Sequence, residues 1–326
     1  LQLYQSFGIK VTERYVMTTE PIFHEGELFA QRRAHEEDQA AGNSPMIGDH
    51  IMRGAIPFIR QQSMLVAGSI DPTGRLWASL LFGKPGFLDP SANAKTLRVH
   101  LEQSIRQPND PLWENWKNDP RAGLMVIDLG SRRRLRINGT VTLEADTLSV
   151  QVNESFPNCP KYIQRRQVSL LSESPNAPDP STQQAQDGYA LGNEQAALIR
   201  RADTFFVASA HPTRSADVAH RGGNPGFAAV LNPATLRIPD YVGNSLFNTL
   251  GNLAVNPHAG LVFPDFENHR ILQLTGKANI LWDQDDPKEL TGGTHRFWDF
   301  HVEYWLETKL TDKIASEFVD YSRFNP

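Results

Sequence analysis

Residues Asn118-Asp119-Pro120-Arg121-Ala122-Gly123-Leu124 return, at an offset of 137, as Val255-Asn256-Pro257-His258-Ala259-Gly260-Leu261. The same offset carries Asp128 onto Asp265 and Gly139 onto Gly276. Upstream, Lys84-Pro85-Gly86-Phe87 meets Asn224-Pro225-Gly226-Phe227 at an offset of 140, and the run Met64-Leu65-Val66-Ala67 meets Phe205-Phe206-Val207-Ala208. Ordered matches at a nearly constant spacing are the mark of an internal duplication. Apolar runs recur in any sheet, so the Pro and Gly turns between them carry the argument, because they set tight reversals. Leu135 and Ile137 alternate with Arg134, Arg136 and Asn138, and Leu272 and Leu274 alternate with Gln273 and Thr275, which is the period of a half-buried strand. The expected fold is mainly β with peripheral helices, built from two antiparallel units in tandem.

A chain of 326 residues accommodates both units, and a single cysteine leaves no internal disulfide to staple them. Apolar residues make up 40% of the chain and charged residues 21%, enough for a substantial core and contrary to global disorder. The net charge of -5 lacks the positive excess of a general nucleic-acid binder. No apolar run reaches bilayer length, so neither nucleic acid nor a membrane is an expected partner. The chain begins at Leu1 with no recognisable basic and apolar leader, and a cytoplasmic location is expected. The boundaries read as an N-terminal extension at 1–50, a first unit at 51–170, a linker at 171–190 and a second unit at 191–326. The linker is rich in Ser, Pro, Asn, Asp and Gln without an apolar period.

Chemistry concentrates in the second unit. His220-Arg221-Gly222-Gly223 runs into Asn224-Pro225-Gly226-Phe227, bringing an arginine fork beside backbone amides exposed by glycines, an arrangement that suits a phosphate. Ile238-Pro239-Asp240-Tyr241-Val242-Gly243 ends a strand, and Asn244 reads as the N-cap of a helix running to about Val255. Leu246, Phe247, Leu250, Leu253 and Ala254 form its apolar side, while Asn244, Asn248 and Asn252 recur every four residues along another, beside Thr249. Two readings of these asparagines stand: a solvent-exposed face, or the wall of an anion site at a helix N-terminus.

These strings, together with Phe247-Asn248-Thr249-Leu250-Gly251-Asn252-Leu253 and, from the first unit, Phe156-Pro157-Asn158-Cys159-Pro160-Lys161-Tyr162-Ile163, resemble the flavin-binding split barrels related to pyridoxamine 5'-phosphate oxidase. The resemblance covers most of residues 50–305. It implies six-stranded antiparallel split barrels that bind FMN at a barrel–barrel interface, usually in a homodimer. In this chain the two tandem FMN-binding-type split β-barrels form an intrachain pseudo-dimer instead, and a homodimer of such tandem chains is a further expectation. The resemblance offers His220, Arg221, Gly222, Gly223 and the start of the Asn244 helix as holders of the flavin phosphate, with Pro239, Asp240, Asn248 and Thr249 close to the cofactor. It implies an FMN-dependent oxidoreductase acting on a small molecule, with NAD(P)H as a candidate electron donor. The alternatives are a noncatalytic flavin- or heme-binding protein and a heme-degrading relative.

The two copies differ reciprocally. At the offset of 140, His220, Arg221 and Gly222 fall on Leu80, Leu81 and Phe82. Where the second unit has its Asn-rich helix, the first has Gln107-Pro108-Asn109-Asp110-Pro111, whose prolines argue against an equivalent uninterrupted helix. The second unit has no counterpart of Asn158-Cys159-Pro160-Lys161-Tyr162. One composite FMN site per chain is therefore expected, with the second unit gripping the phosphate and the first offering Lys161, Tyr162 or Arg165 to the ring or substrate.

Arg134, Arg136, Cys159 and Arg165 are the substrate-binding candidates. The cluster Arg132, Arg133, Arg134, Arg136 reads equally as a solvated strand edge, Cys159 as a structural thiol, and His220 as part of the phosphate turn or as a proton relay. No metal centre is expected, since Phe23-His24-Glu25-Gly26-Glu27-Leu28 completes no HExxH or paired-cysteine spacing. Trp298, Tyr304 and Trp305 read as the packing face of a C-terminal helix or as walls of a flavin pocket.

Overall fold

A computed structural model describes residues 21–105, 107, 109–144, 146–170, 185–310 and 314–326. The expected linker at 171–190 lies outside the described residues as far as position 184, as does the N-terminal extension as far as position 20. The first half of the chain folds into β1 (Met64–Ile70), β2 (Leu76–Gly83), β3 (Leu88–Pro90), β4 (Thr96–His100), β5 (Ser104–Ile105), β6 (Arg121–Asp128), β7 (Arg133–Leu143), β8 (Thr147–Asn158) and β9 (Arg165–Leu170). The second contributes β10 (Gln186–Gly188), β11 (Thr204–Ala210), β12 (Ala216–Gly222), β13 (Ala229–Asn232), β14 (Thr235–Pro239), β15 (His258–Asp265), β16 (Arg270–Leu281), β17 (Phe297–Lys309) and β18 (Ile314–Asp320). Helices α1 (Glu25–Ala34), α2 (Glu37–Asn43), α3 (Ile56–Arg60), α4 (Leu112–Asn118), α5 (Asn193–Arg201) and α6 (Asn248–Val255) lie around them.

The first large sheet runs β3-β4-β8-β7-β6-β1-β2-β5, and the second runs β12-β11-β15-β16-β17-β14-β13 with β10 added on β17. Both are antiparallel. The first is a half-barrel, and the pair is consistent with a tandem split-barrel-like arrangement in which the two barrels are not both fully closed. Strands β9 and β18 pair with each other and tie the end of one half to the end of the other.

The duplication is visible in the registers. Met64 pairs with Phe82 between β1 and β2, and Thr204 pairs with Gly222 between β11 and β12. Ala122 pairs with Gly139, and Ala259 with Gly276. The helices correspond too, which corrects the expectation that prolines exclude an equivalent helix from the first copy. Pro111 is the N-cap of α4 with φ -61, where its ring needs no amide donor and clashes with no preceding turn. In α4 the Asn115 side-chain amide donates to Ser69 Oγ at 2.9 Å; in α6 Asn252 donates to Ser209 Oγ at 3.1 Å, the same bond in each copy.

The second helix also begins later than its sequence suggests. Ser245 and Phe247 occupy the left-handed region at φ 62 and 61, which interrupts helical geometry, so α6 starts at Asn248 and Asn244 caps only a local turn by accepting from Leu246 N at 3.2 Å.

Each half has its own apolar core, and a third cluster lies between them. Val66, Leu80, Phe82 and Met125 of the first half meet Phe206, Val218 and Val262 of the second, all fully or almost fully buried. Each such side chain contributes roughly 1.5–3 kcal/mol relative to exposure. Two glycines let the sheets approach. A Cβ on Gly123 in β6 would lie 2.5 Å from the Asp217 backbone, and one on Gly260 in β15 would lie 2.5 Å from Leu76 O and 2.6 Å from Trp77 Cα. Gly123 and Gly260 are repeat mates, as are Trp77 and Asp217, so the interface is isologous about an approximate two-fold axis.

That interface corrects the reading of β7 as half-buried. Leu135 and Ile137 face the first core, while Arg134, Arg136 and Asn138 are covered by the second half, leaving the strand buried on both faces from Arg134 to Gly139. Trp298, Tyr304 and Trp305 lie on strand β17 rather than on a helix. Trp298 and Trp305 join the second core, and Tyr304 sits edge-on to Trp77.

The described part of the N-terminal extension packs on both halves: Met46 joins the first core and Gly48 N donates to Ser155 O of β8 at 3.0 Å, while α1 lies on the second half. Helix α1 crosses α6 so closely that a Cβ on Gly26 would sit 2.1 Å from Gly251 O, and one on Gly251 would sit 2.7 Å from Glu27 Cα. Among the described residues no helix is long and apolar enough to cross a membrane.

Candidate functional site at the interface of the two halves

The two-fold relation creates two equivalent places at the interface, and the sequence fills them differently. In the first, Arg134 and Arg136 of β7 meet Asp217 and His220 of β12. Arg136 donates to Asp217 Oδ2 at 2.7 Å and to Asn158 Oδ1 at 3.1 Å, while Arg134 Nη1 lies 2.9 Å from His220 Nδ1. In the second, the repeat mates are Ile271, Gln273, Trp77 and Leu80. Ile271 and Leu80 join the apolar interface cluster, and Gln273 donates to Ala78 O at 2.9 Å. One place holds two buried arginines; its mate holds Asp110, bonded to Ser79 at 2.6 Å and Gln273 at 3.3 Å, beside apolar side chains.

Around the first place lies a cleft with about 430 Å³ of empty space, part of it open to solvent, whose walls include Arg136, Arg221, Asp240, Asn244, Thr249 and Arg296. Arg296 is 6% exposed and spoken for, donating to Asp240 Oδ2 at 3.1 Å and Glu36 Oε1 at 3.2 Å. Arg221 is not. Its nearest carboxylate oxygen, Asp240 Oδ1, is 3.8 Å away, and its buried Nε has no partner. The buried Asn244 Nδ2 on the same wall also lacks one. The first turn of α6, with Asn248 and Thr249, reaches the cleft without any side-chain cap on its amides. Unpaired buried donors carry a desolvation penalty of about 1–3 kcal/mol each, which an anion in the cleft relieves.

Burial shifts the titration of this cluster. Burial first, then the neighbouring charges of Arg134 and Arg221, holds His220 well below its ordinary value, so the imidazole is neutral. Because Nδ1 accepts from Arg134, the proton sits on Nε2, a buried donor without a protein partner. Burial also lowers Arg134 and Arg221 from the usual guanidinium value, the signature of charge short of counter-charge. Tyr162 is pushed up to about 12, mainly by burial, and its ring lies 4.8 Å from that of Tyr241.

The other sequence-derived candidates are placed as follows. Gly222 crosses tightly beneath Tyr162, since a Cβ there would be 2.2 Å from Tyr162 O, and Gly223 abuts Phe227. Pro239 ends β14, one residue before Asp240. Cys159 is half-buried on the first core, with its carbonyl oxygen held by Arg134 Nε at 3.1 Å. Lys161 Nζ lies over the Phe324 ring at 5.6 Å, and Arg165 is paired with Asp320 at 2.6 Å. Arg134 and Arg136 are 7% and 8% exposed, so the solvated-edge reading does not hold for them.

The solvent-exposed reading of the asparagine face is corrected as well. Asn248 donates to Glu27 Oε1 at 2.7 Å, and Asn252 lies 3.1 Å from His24 Nε2, so helix α1 covers much of that face. Sequence reasoning missed Glu27, Glu36, Asp217, Tyr241 and Arg296. Glu27, three residues after His24, completes a capping box, a signal present in the sequence. Arg296 comes from a distant segment and gave no local sign.

His24, Glu25 and His211 bring their ligand-type atoms within 4.8 Å of one another. Their hydrogen bonds oppose a metal. His24 Nδ1 accepts from Gly26 N at 3.1 Å, and His211 Nδ1 accepts from Thr213 N at 3.1 Å and Arg214 N at 3.2 Å. Neutral rings accepting at Nδ1 carry their proton on Nε2, the atom that would have to face the ion.

Residues 191–307 match the family described as pyridoxamine 5'-phosphate oxidase. No curated protein matches the chain. Among solved structures, HupZ from Group A Streptococcus is 14% identical, covering 40% of this chain and 98% of that one with a TM-score of 0.28. A Clostridium acetobutylicum protein related to general stress protein 26 of B. subtilis, of the pyridoxinephosphate oxidase family, is 15% identical, covering 39% of this chain and 92% of that one with a TM-score of 0.29. The similarity to the pyridoxamine 5'-phosphate oxidase family is distant and confined to residues 191–307.

Proposed function

We propose that the chain binds one FMN in the composite cleft and acts as a flavin-dependent oxidoreductase on a small molecule. The observation that carries the single site is the asymmetry of the interface: Arg134, Arg136, Asp217 and His220 stand where the repeat mate has Ile271, Gln273, Trp77 and Leu80. The residues present fit a flavin phosphate, because Arg221 Nε and Asn244 Nδ2 are buried donors without partners beside the uncapped first turn of α6. Arg221, Asn244 and Thr249 would hold the phosphate, while Arg136 and Tyr241 also line the cleft and Tyr162 backs Tyr241. Bound flavin supplies hydride or single-electron transfer. The chain's own part is to bind and to exclude water, with the neutral His220 held against Arg134 behind the cleft.

Flavin reconstitution followed by gel filtration tests the site: one FMN per chain is expected, and two tightly held FMN would overturn the composite reading. Bleaching of the yellow band by NADH or NADPH is expected of the oxidoreductase. Stable colour without bleaching by either donor favours the noncatalytic alternative, and a Soret band with heme favours the tetrapyrrole one.

A further inference from the structure

We propose that the flavin cleft continues past Arg296 into a second lobe that receives the adenylate half of a dinucleotide. The proposal relies on the preceding reading for the first lobe only. Arg296 lines both depressions. Its main chain and guanidinium are both tied to Asp240, with Asp240 N donating to Arg296 O at 3.0 Å, so a fixed wall joins the two lobes.

The second lobe is an open depression with about 970 Å³ of empty space, beside Arg33, Trp282, Asp283, Asp285 and His295. Its chemistry divides as a nucleotide does. The half-buried Trp282 indole, propped edge-on by Phe29 at 6.2 Å, carries the Arg33 guanidinium over its ring at 5.7 Å from the centroid, and a base would stack there in its place. Asp283 and Asp285 are acceptors suited to vicinal ribose hydroxyls, and Arg33 supplies charge for a phosphate, since Arg296 is held by Asp240 and Glu36. One available arginine against two aspartates makes the lobe a poor trap for a free inorganic anion. Together they suit a ligand with an anionic end and a hydroxyl-rich body. Arg33 now pairs with Asp283 at 2.8 Å, but both are well exposed and the pair opens easily.

The backbone of the lobe is braced by Gln284 N donating to His295 O at 2.9 Å and by His295 Nδ1 lying 3.1 Å from Gln284 O.

Calorimetric titration of the full chain with AMP, FMN, FAD and NADH tests the lobe. AMP is expected to bind without flavin, and Trp282→Ala to weaken AMP roughly tenfold, the scale of one lost stacking contact, with FMN unchanged. Arg33→Ala, at an exposed position outside the core, is the second variant and is expected to weaken AMP while preserving the fold. FAD binding tighter than FMN, with the excess lost in Trp282→Ala, assigns the lobe to the flavin. NADH binding to the FMN-loaded chain, lost in the same variant, assigns it to the electron donor. If AMP, FAD and NADH gain nothing from the lobe, or both variants leave them unchanged, the proposal fails even where FMN binds. AMP binding that responds to both variants in a chain that binds no FMN keeps the lobe and overturns the flavin reading.

Discussion

At Arg221 the local sequence and its surroundings bear on the same atom. The glycines that follow it were legible as a backbone-exposing turn, but its unpartnered Nε is a consequence of Asp240 being drawn toward Arg296. Arg221→Ala is expected to weaken FMN roughly 10- to 150-fold, the equivalent of losing a charged hydrogen bond of about 1.5–3 kcal/mol, with little loss of fold stability. Equilibrium dialysis against FMN, alongside denaturant unfolding, checks both parts; unchanged affinity removes Arg221 from the phosphate site. His220 shows the limit of local reading. Its neutrality and its tautomer depend on Arg134, 86 positions earlier in the chain, which no turn motif announces.

Among the elements, the α1–α6 crossing was the least legible. Asn244, Asn248 and Asn252 carry a true helical spacing, yet only Asn248 and Asn252 lie in α6, and what covers them comes from the N-terminal extension. Two titrating groups there act in opposite directions. Burial raises Glu27 to about 8 from 4.5, so the stability it contributes is present below 4.5 and is lost as pH rises through about 8. Burial first, then the nearby His211, lowers His24 to about 4 from 6.5, so its contribution is present above 6.5 and is lost as pH falls toward 4. Protonation of His24 Nδ1 would also remove the acceptor that caps α1. Glu27→Gln is therefore expected to gain stability relative to the parent as pH rises from about 5 to about 8. Urea unfolding across that range is the measurement, and a difference that does not vary with pH would mean that Glu27 is already ionised in the native state.

Over the whole molecule, the approximate two-fold makes Gly123 and Gly260 equivalent in packing and unequal in function. Each abuts backbone of the other half within 2.5 Å of where a Cβ would stand. Gly123→Ala and Gly260→Ala are each expected to cost about 1–3 kcal/mol by overpacking. Gly123 presses on Asp217, the partner of Arg136, so its substitution should also weaken FMN retention. Gly260 presses on Leu76 and Trp77 beside the mate that lacks the arginines, and its substitution should not. Unfolding curves and flavin titration of both variants separate the two effects, and equal loss of flavin in both would contradict an active site confined to one side of the interface.

Strand period and turn chemistry are local properties written in neighbouring residues, so the duplication, the antiparallel strands and the position of the arginine–glycine turn were legible along the chain. The divergence of the copies was legible too, since Leu80 and Leu81 stand where His220 and Arg221 recur. The burial of Arg134 and Arg136 against the other half, the cover of α1 over α6 and the place of Arg296 on the walls of two depressions came from the folded molecule. Each of those facts depends on which distant surfaces meet. Pairing across the two-fold is set by the summed fit of two faces, and no short window of sequence contains both.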